Sequence, residues 1–490
     1  MTTWILTVGN SDVLLDITKT IWHSLMRKAQ ARGKNTGNPA ESKVKIPGGK
    51  EFVSYPARAV GLVCADQLEE ASSYLRFPRF DALLEKIKEC HQLPKQIIVI
   101  LTNQEQIFNS SHRKPDSPYW QDTCTLELIL RHYLEQKLPQ AQQHFLTVQP
   151  DPGMPGLDHW EKTLDLIQLL LAGVQCRPRK PVYVSHQAGT PALSSAVQFV
   201  CLTKFGPQVQ FVVSNEYKEN SSELISSSTY LRGIRLQEAK RLLERYDYAG
   251  VQELLKEDLQ TLQHPTARRI EQLLEAAILW NKAQFQAFGE HMGEELRSHT
   301  QQWWWTGYES AYLAVIRLEQ GNTVEALFHS FRAAEGMISD WAKWYYPDDI
   351  KETNSGAPMV KRLPNSKLPN YLLEELKEKK GDLLLYSDRL FKLFRHSRPD
   401  VVDYEDVKVI WKETKNIRNQ QFHRLLGLHE KDIFRAWHTR ENRRDWKLRL
   451  RNCLNAIAKQ TFDSLEEASL MDNVHKELKD AIIAYQNWSG

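Results

Sequence analysis

Short apolar runs alternate with stretches of helical periodicity through the first 225 residues. Six of these runs predict strands, because each is apolar on both faces, as a parallel strand between two layers of helices must be. The predicted strands are residues 4–8, 59–64, 96–101, 145–148, 182–185 and 209–213. Helices are predicted at residues 160–171 and 189–203. Strands that alternate with helices predict an α/β domain with a parallel sheet. The Gly-, Asn-, Pro- and Lys-rich stretch 33–50 predicts a loop inserted in that domain.

From about residue 226 the strand pattern stops and helical periodicity takes over. Apolar stripes predict helices around Leu236, Val251 and Ile270. The aromatic cluster at residues 303–312 predicts core or interface rather than a surface on which bases stack. The Pro- and Lys-bearing segment 355–369 predicts a loop. The second half is therefore expected to be all-α.

The length of 490 residues points to at least two domains, because a typical domain has about 100 to 200 residues. The formal net charge of +3 is too small for a polybasic protein that coats nucleic acid, so any nucleic-acid contact is expected to be local. Six cysteines without a CxxC pair argue against a disulfide scaffold or a thiolate zinc site, and they fit a cytoplasmic protein. No apolar stretch reaches the about 18 residues of a membrane span, and no export signal is recognisable, so no membrane association is expected.

The residues that directly follow three of the predicted strands favour a phosphate-bearing ligand. They are Gly9, Asn10, Ser11 and Asp12 after the first strand, Thr102, Asn103 and Gln104 after the third, and His186, Gln187, Ala188, Gly189, Thr190 and Pro191 after the fifth. Ligands of open parallel sheets bind beyond the carboxyl ends of the strands, where small, hydroxyl and amide residues expose N–H groups to phosphate oxygens. Neither GxGxxG nor GxxxxGKS/T occurs, so neither an ordinary dinucleotide fold nor a P-loop ATPase is predicted.

In the second half, Arg418, Asn419 and His423 lie within six positions of an amphipathic stretch. A histidine can transfer protons to and from the ribose 2'-OH and the 5'-oxygen leaving group, and a guanidinium stabilises negative charge on phosphorus, so the pair suits RNA cleavage without a metal. On a regular helix these two side chains are about 140° apart. Either the turn is distorted, or the site is shared with a neighbouring copy of the chain. The seven basic residues between 435 and 451 form either an RNA-backbone patch or, as we favour, a solvated helix face.

Two sets of motifs resemble known families. The segment VYVSHQAGTPA at 182–192, together with LTVGNSD at 6–12, resembles the CARF domain, the CRISPR-associated Rossmann fold. The segment RNQQFH at 418–423 resembles the R-x4-6-H motif of HEPN ribonucleases, and Phe328, Arg332 and Glu335 resemble an earlier HEPN helix that packs behind that motif. Their order is that of the ancillary ribonucleases of type III CRISPR systems. The resemblance implies a multidomain α/β plus all-α protein: a Rossmann-like parallel sheet with flanking helices (1–225), a helical linker (226–300) and a HEPN helical domain (301–490).

The resemblance further implies a cytoplasmic homodimer whose CARF domains bind a cyclic oligoadenylate activator, cyclic tetra-adenylate in preference to cyclic hexa-adenylate. Binding would allosterically activate an endoribonuclease that cuts single-stranded RNA without a metal or other cofactor, leaving 2',3'-cyclic phosphate and 5'-hydroxyl ends. Arg418 and His423 would be catalytic, with Asn419 in support. The activator would be bound by Gly9, Asn10, Ser11, Thr102, Asn103, His186, Gly189 and Thr190. Residues 226–300 carry no motif that maps onto the family.

Other functions are compatible with the same residues. One is a non-catalytic nucleotide-sensing regulator whose helical half docks a protein or nucleic-acid partner, although no helix-turn-helix signature is recognisable. Another is an autonomous HEPN toxin with a vestigial sensor. Degradation of the activator by the CARF half itself is also left open.

Overall fold

The computed structural model describes residues 2–46, 50–108, 113–114, 117–176, 180–214, 222–261, 265–293, 297–354, 356–361, 367–378, 382–410 and 427–487. The chain divides into two compact units, Met1–Arg232 and Gly233–Gly490.

The described part of the first unit contains ten strands and eight α-helices. The strands are β1 (Thr3–Thr7), β2 (Leu14–Leu15), β3 (Ser42–Lys45), β4 (Glu51–Ser54), β5 (Leu75–Arg76), β6 (Gln96–Thr102), β7 (Gln142–Val148), β8 (Val182–Ser185), β9 (Val209–Val213) and β10 (Glu223–Ser226). The helices are α1 (Lys19–Ala31), α2 (Ala57–Cys64), α3 (Leu68–Ala71), α4 (Pro78–Glu89), α5 (Pro118–Gln121), α6 (Glu127–Lys137), α7 (Trp160–Ala172) and α8 (Pro191–Phe205).

The main sheet of the first unit has the order β10-β9-β8-β1-β6-β7. All neighbours pair in parallel except β10, which is antiparallel to β9. Alternate residues of β1 face opposite layers of helices. Trp4 and Leu6 belong to a core with residues of α1, α2, α4 and α6, and Ile5 belongs to a second core with residues of α7 and α8. The sheet is therefore covered on both faces, which confirms the expected Rossmann-like α/β fold.

One predicted strand is wrong. Residues 59–64 lie in helix α2, which starts after Pro56 and is buried on nearly every side. A short apolar run is ambiguous between a buried strand and a buried helix, because periodicity cannot separate the two. Helix α2 packs so closely that a Cβ on Gly61 would lie 2.3 Å from the carbonyl oxygen of Thr125.

The predicted loop at 33–50 is also partly wrong, because it contains strand β3. This strand pairs antiparallel with β4, and Val44 stands opposite Phe52. The two strands belong to a separate sheet with the order β3-β4-β2-β5. Two charged residues also bridge them, since Lys43 Nζ lies 2.8 Å from Glu51 Oε2.

The described part of the second unit is mostly helical. Helix α9 (Ser227–Glu244) contains the boundary between the units. The helices that follow are α10 (Tyr248–Thr261), α11 (Pro265–Asn281), α12 (Phe285–His291), α13 (Arg297–Thr300), α14 (Trp305–Glu319), α15 (Thr323–Tyr345), α16 (Asn370–Glu378), α17 (Ser387–Ser397), α18 (Pro399–Val402), α19 (Glu405–Val409), α20 (Glu430–Ala436), α21 (Arg443–Ala458), α22 (Leu465–Ala468) and α23 (Leu470–Asn487).

The expectation of an all-α second half needs one correction. Strands β11 (Ile350–Glu352), β12 (Pro358–Val360) and β13 (Leu383–Leu384) form a small antiparallel sheet. Strand β12 lies inside the segment 355–369 that was predicted to be a loop. These strands have two or three residues each, too few for the alternation that identifies a strand in sequence. The aromatic cluster does lie in the core, as predicted, with Trp304, Trp305, Tyr308 and Tyr312 all buried.

A buried carboxylate joins three elements of the second unit. Glu309 of α14 is fully buried and accepts hydrogen bonds from Trp280 Nε1 of α11 at 2.7 Å, from Ser469 Oγ at 2.6 Å and from the backbone N–H of Leu470 at 2.6 Å. Burial raises the pKa of Glu309 to about 7, although these donors act in the opposite direction.

Candidate functional site

The strand order of the main sheet places a ligand crevice between β1 and β8. The chain runs from β1 to its neighbour β6 and on to β7, and then crosses to β8 on the other side of β1. Ligands of open α/β sheets bind at such a change of direction, beyond the carboxyl ends of the two strands. Gly9 follows β1 and Ala188 follows β8 at this point. A Cβ on Gly9 would lie 3.2 Å from the Cβ of Ala188, so the two segments are in close contact.

The turn after β1 is fixed by hydrogen bonds of its own residues. The carboxylate of Asp12 accepts from the backbone N–H of Gly9 at 2.6 Å, and the side-chain oxygen of Asn10 accepts from the N–H of Ala57 at 2.6 Å. The latter bond satisfies the first N–H of helix α2. Ser11 is exposed at the tip of the turn. Ser11 and the backbone around it thus face solvent at the edge of the crevice.

The segment after β8 brings the start of a long helix to the same edge. Gly189 has a φ of +94°, which favours glycine, and a Cβ there would lie 2.6 Å from Leu193 Cδ2. The hydroxyl of Thr190 caps helix α8 by accepting from the N–H of Leu193 at 3.1 Å, and it donates to the carbonyl of Leu157 at 2.5 Å. The remaining N–H groups of the first turn of α8 carry the partial positive charge that attracts phosphate.

The segment after β6 is held by a buried ion pair that the sequence analysis missed. Arg58 Nη2 lies 2.9 Å from Asp122 Oδ2 and 2.8 Å from the side-chain oxygen of Asn103. Asp122 also accepts from the backbone N–H of Gln104 at 2.8 Å and from its side-chain amide at 3.2 Å. Burial raises the pKa of Asp122, and the bonds to Gln104 and Arg58 oppose this shift. Arg58 gave no signal in the sequence because it precedes the run that was taken for a strand.

A chain of hydrogen bonds continues from β6 to the segment after β8. Gln104 Oε1 accepts from the N–H of Leu157 at 3.0 Å, and the carbonyl of the same Leu157 accepts from the hydroxyl of Thr190. The hydroxyl of Thr102, by contrast, is engaged with Thr123, whose backbone N–H lies 3.2 Å away. The structure therefore brings all three predicted segments to one edge of the sheet, with the side chain of Thr102 already occupied by the protein.

His186 is partly buried at the end of β8. Its Nδ1 is 3.0 Å from Ser194 Oγ, and its ring meets Phe211 edge to face, with centroids 5.2 Å apart. Burial, with a further contribution from the positive charge of Arg79, lowers the pKa of His186 to about 4. The imidazole is therefore neutral near pH 7.

The predicted catalytic residues Arg418, Asn419 and His423 lie outside the described residues. The helix expected to pack behind them is described, and it is α15. Phe328, Arg332 and Glu335 lie on one face of α15 and line a groove of about 230 Å³ that Tyr386 and Leu390 also border. Phe328 is 42% exposed and Tyr386 is 56% exposed, so this groove is open to solvent.

Most of the basic run from 435 to 451 is engaged in ion pairs within the unit. Arg443 Nε lies 2.5 Å from Glu430, Lys447 Nζ lies 3.2 Å from Glu319, and Arg449 Nε lies 3.0 Å from Asp406. Arg435 pairs with Glu441 in the same way. Arg440 and Arg444 are exposed. The pairing of these side chains favours a structural role for most of the run over a continuous RNA-backbone patch.

The described residues contain no group of three or more His, Cys, Asp or Glu residues that could hold a metal ion. Among the same residues, no helix is both long enough and apolar enough to cross a membrane.

The fold of this chain is known from a solved protein. No protein-family model matches the sequence, and no curated protein matches it. The fold is a doubly wound parallel sheet with a crevice at its change of direction, followed by a mainly helical unit. The chain resembles the structure of Enterococcus italicus Csm6 bound to cyclic hexa-2'-fluoro-hexa-dAMP, with a TM-score of 0.56 and 13% sequence identity. The match covers 98% of this chain and 100% of Csm6, so the likeness in fold extends over both units.

Proposed function

We propose that the chain is a cyclic oligoadenylate-activated endoribonuclease that cuts single-stranded RNA in type III CRISPR defence. The observation that carries this proposal is the likeness to Csm6 along nearly the whole chain, to a structure that holds a cyclic hexanucleotide analogue. The crevice between β1 and β8 supports it independently. The turn that carries the exposed Ser11 and the start of helix α8 meet there, which suits the phosphates of a nucleotide ring.

The proposal divides the chain into a sensing domain (1–225), a helical linker (226–300) and a nuclease domain (301–490). In the sensing domain the ring contacts Gly9, Asn10 and Ser11 from one side of the crevice. His186, Gly189 and Thr190 contact it from the other side, with Thr102 and Asn103 at the rim. Because the hydroxyl of Thr102 is bound to Thr123, its contribution comes from the backbone.

The nuclease step is an internal transesterification. The ribose 2'-oxygen bonds to phosphorus while the bond from phosphorus to the 5'-oxygen breaks, which leaves a 2',3'-cyclic phosphate and a 5'-hydroxyl. His423 transfers the proton that leaves the 2'-OH or the proton that reaches the 5'-oxygen, Arg418 stabilises the charge on phosphorus, and Asn419 supports them. DNA lacks the 2'-OH and is not a substrate. No metal takes part.

Activation follows from symmetry if the protein is a homodimer. A ligand shifts an equilibrium only by binding one arrangement better than another, and a two-fold symmetric ring can contact both protomers equally. The predicted separation of Arg418 and His423 around a regular helix also favours a site composed from two copies. We expect cyclic tetra-adenylate to be the activator, and cyclic hexa-adenylate is the direct alternative because the ligand of Csm6 is a six-membered ring.

The proposal is tested by cleavage of a labelled single-stranded RNA with each ring. His423→Ala should abolish ring-stimulated cleavage while leaving ring binding unchanged. The control is His396→Ala, which removes an exposed histidine of α17 and should retain full activity. Ring binding by the wild type without any cleavage would contradict the nuclease and favour the non-catalytic sensor. Cleavage that is equally fast without a ring would favour an autonomous toxin.

A further inference from the structure

Arg79 lies beside the turn after β1, and two of its three guanidinium nitrogens have no hydrogen-bond partner among the described residues. It is the second residue of α4, and its Nη1 donates to Asp12 Oδ1 at 2.9 Å. Its Nε and Nη2 are covered from solvent and make no hydrogen bond. Buried charged donors without an acceptor are costly, so a protein rarely keeps them without a use. These two nitrogens present the side-by-side N–H groups that bind phosphate oxygens in pairs.

A second unpartnered donor or acceptor lies in the same region. The Nε2 atom of His186 is covered from solvent and has no hydrogen-bond partner, while Nδ1 is held by Ser194. His186 directly follows β8, the neighbour of β1, and Arg79 is bonded to Asp12 in the turn after β1, so both side chains lie at the same edge of the sheet. The neutral imidazole can donate a hydrogen bond from Nε2 without adding a charge.

We propose that Arg79, together with His186, binds a phosphodiester group of the nucleotide ligand at the carboxyl ends of β1 and β8. This inference rests on the proposed function and assigns Arg79 as the positively charged side chain of that crevice. Asp12 holds the guanidinium in position through Nη1 and ties it to the turn through the N–H of Gly9. A purely structural alternative is that Arg79 serves only to fasten this turn.

The two roles predict different relative effects for two variants of the full-length chain. Arg79→Gln removes the charge and should weaken binding of cyclic tetra-adenylate or cyclic hexa-adenylate roughly ten- to hundredfold, measured by isothermal titration calorimetry. Asp12→Asn keeps an oxygen for the N–H of Gly9 and leaves the positive charge of Arg79 in the crevice, so it should weaken binding less than Arg79→Gln does. The control is Arg76→Gln, because Arg76 carries the same charge nearby but is 39% exposed and pairs with Asp16. This variant should change the affinity for the ring by no more than about twofold.

Each outcome is decisive for the subsite. Equal weakening of ring binding by Arg79→Gln and Asp12→Asn would show that Arg79 only fastens the turn, and it would overturn the proposal. Unchanged ring binding by Arg79→Gln would also overturn the proposal. If circular dichroism shows that Arg79→Gln is unfolded, Arg79→Lys replaces it, because lysine keeps the charge but lacks the paired nitrogens. Unchanged affinity of Arg79→Lys for the ring would overturn the proposal. If the wild type binds neither ring, the proposed function is wrong. The same variants are then titrated with inorganic pyrophosphate, and equal affinity of wild type and Arg79→Gln would overturn the subsite.

Discussion

The buried carboxylate of Asp122 provides a sharp test of how the crevice is held together. Its side chain is completely buried and accepts hydrogen bonds from Arg58 and, twice, from Gln104. Replacing Asp122 by Ala removes the acceptors of all three hydrogen bonds at once. The guanidinium of Arg58, only 5% exposed, then keeps its charge in the interior without a counterion.

The expected cost is large because an unpaired charge remains buried. Breaking a buried ion pair by removing one partner typically costs about 3–5 kcal/mol. In a unit the size of Met1–Arg232, each kcal/mol lowers the melting temperature by about 2–4 °C. The Tm of the first unit should therefore fall by roughly 6–20 °C. Because Gln104 connects to Leu157 and Thr190, ring binding should weaken as well.

The assay is calorimetric unfolding of the full-length protein at pH 8, because a high pH favours the ionised form of a carboxyl whose pKa is raised by burial. Asp66→Ala is the matched control: its carboxylate is 39% exposed and lies 2.9 Å from Lys34, so its removal should cost about 0–1 kcal/mol. Adding Arg58→Met to Asp122→Ala removes the unpaired charge, and the double variant should be more stable than the single one. The reasoning is refuted if Asp122→Ala costs no more than Asp66→Ala, or if the double variant is less stable than Asp122→Ala alone.

Three further predictions concern stability. Burial raises the pKa of Glu309 from 4.5 to about 7, so the contribution of this residue to stability is fully present below pH 4.5 and is lost as the pH rises through 7. The free energy of unfolding should therefore fall by about 3 kcal/mol over this pH range. Urea titrations of Glu309→Gln should lack this pH-dependent fall. Gly189→Ala should lower the Tm and weaken ring binding, at a cost of about 1–3 kcal/mol, whereas Gly173→Ala, which meets nothing within 4 Å, should change neither. Arg449→Ala should cost about 1–3 kcal/mol in urea unfolding, while the exposed Arg444→Ala should stay within about 0.5 kcal/mol; equal effects would contradict the pairing.

The sheet could be predicted from sequence wherever a strand is apolar on both faces. The predictions for β8 and β9 agree with the structure residue for residue, and β1 is displaced by one residue. Helix α2 could not be distinguished from a strand, because eight mostly apolar residues without a polar face fit either element. The strands β11, β12 and β13 were missed because each has only two or three residues, too few to show the alternation that marks a strand.

The candidate site was predictable only in part. Gly9 and Gly189 could be found because each lies in a segment that follows a strand, and the order of the strands then places these segments side by side. Arg79 lies in the first turn of helix α4 and Asp122 directly follows helix α5, and nothing in the local sequence marks either residue. Only the folded chain brings Arg79 to Asp12 and Asp122 to Arg58, across 67 and 64 positions of sequence.

A nucleotide ring is expected to activate RNA cleavage by this chain. The most direct measurement is the rate of cleavage of a single-stranded RNA by the full-length protein, with and without cyclic tetra- or hexa-adenylate, each in the presence and absence of EDTA. We expect one ring to raise the rate well above the basal value, with EDTA having no effect and with 2',3'-cyclic phosphate ends in the products. A rate that neither ring changes, or one that EDTA abolishes, would contradict the account.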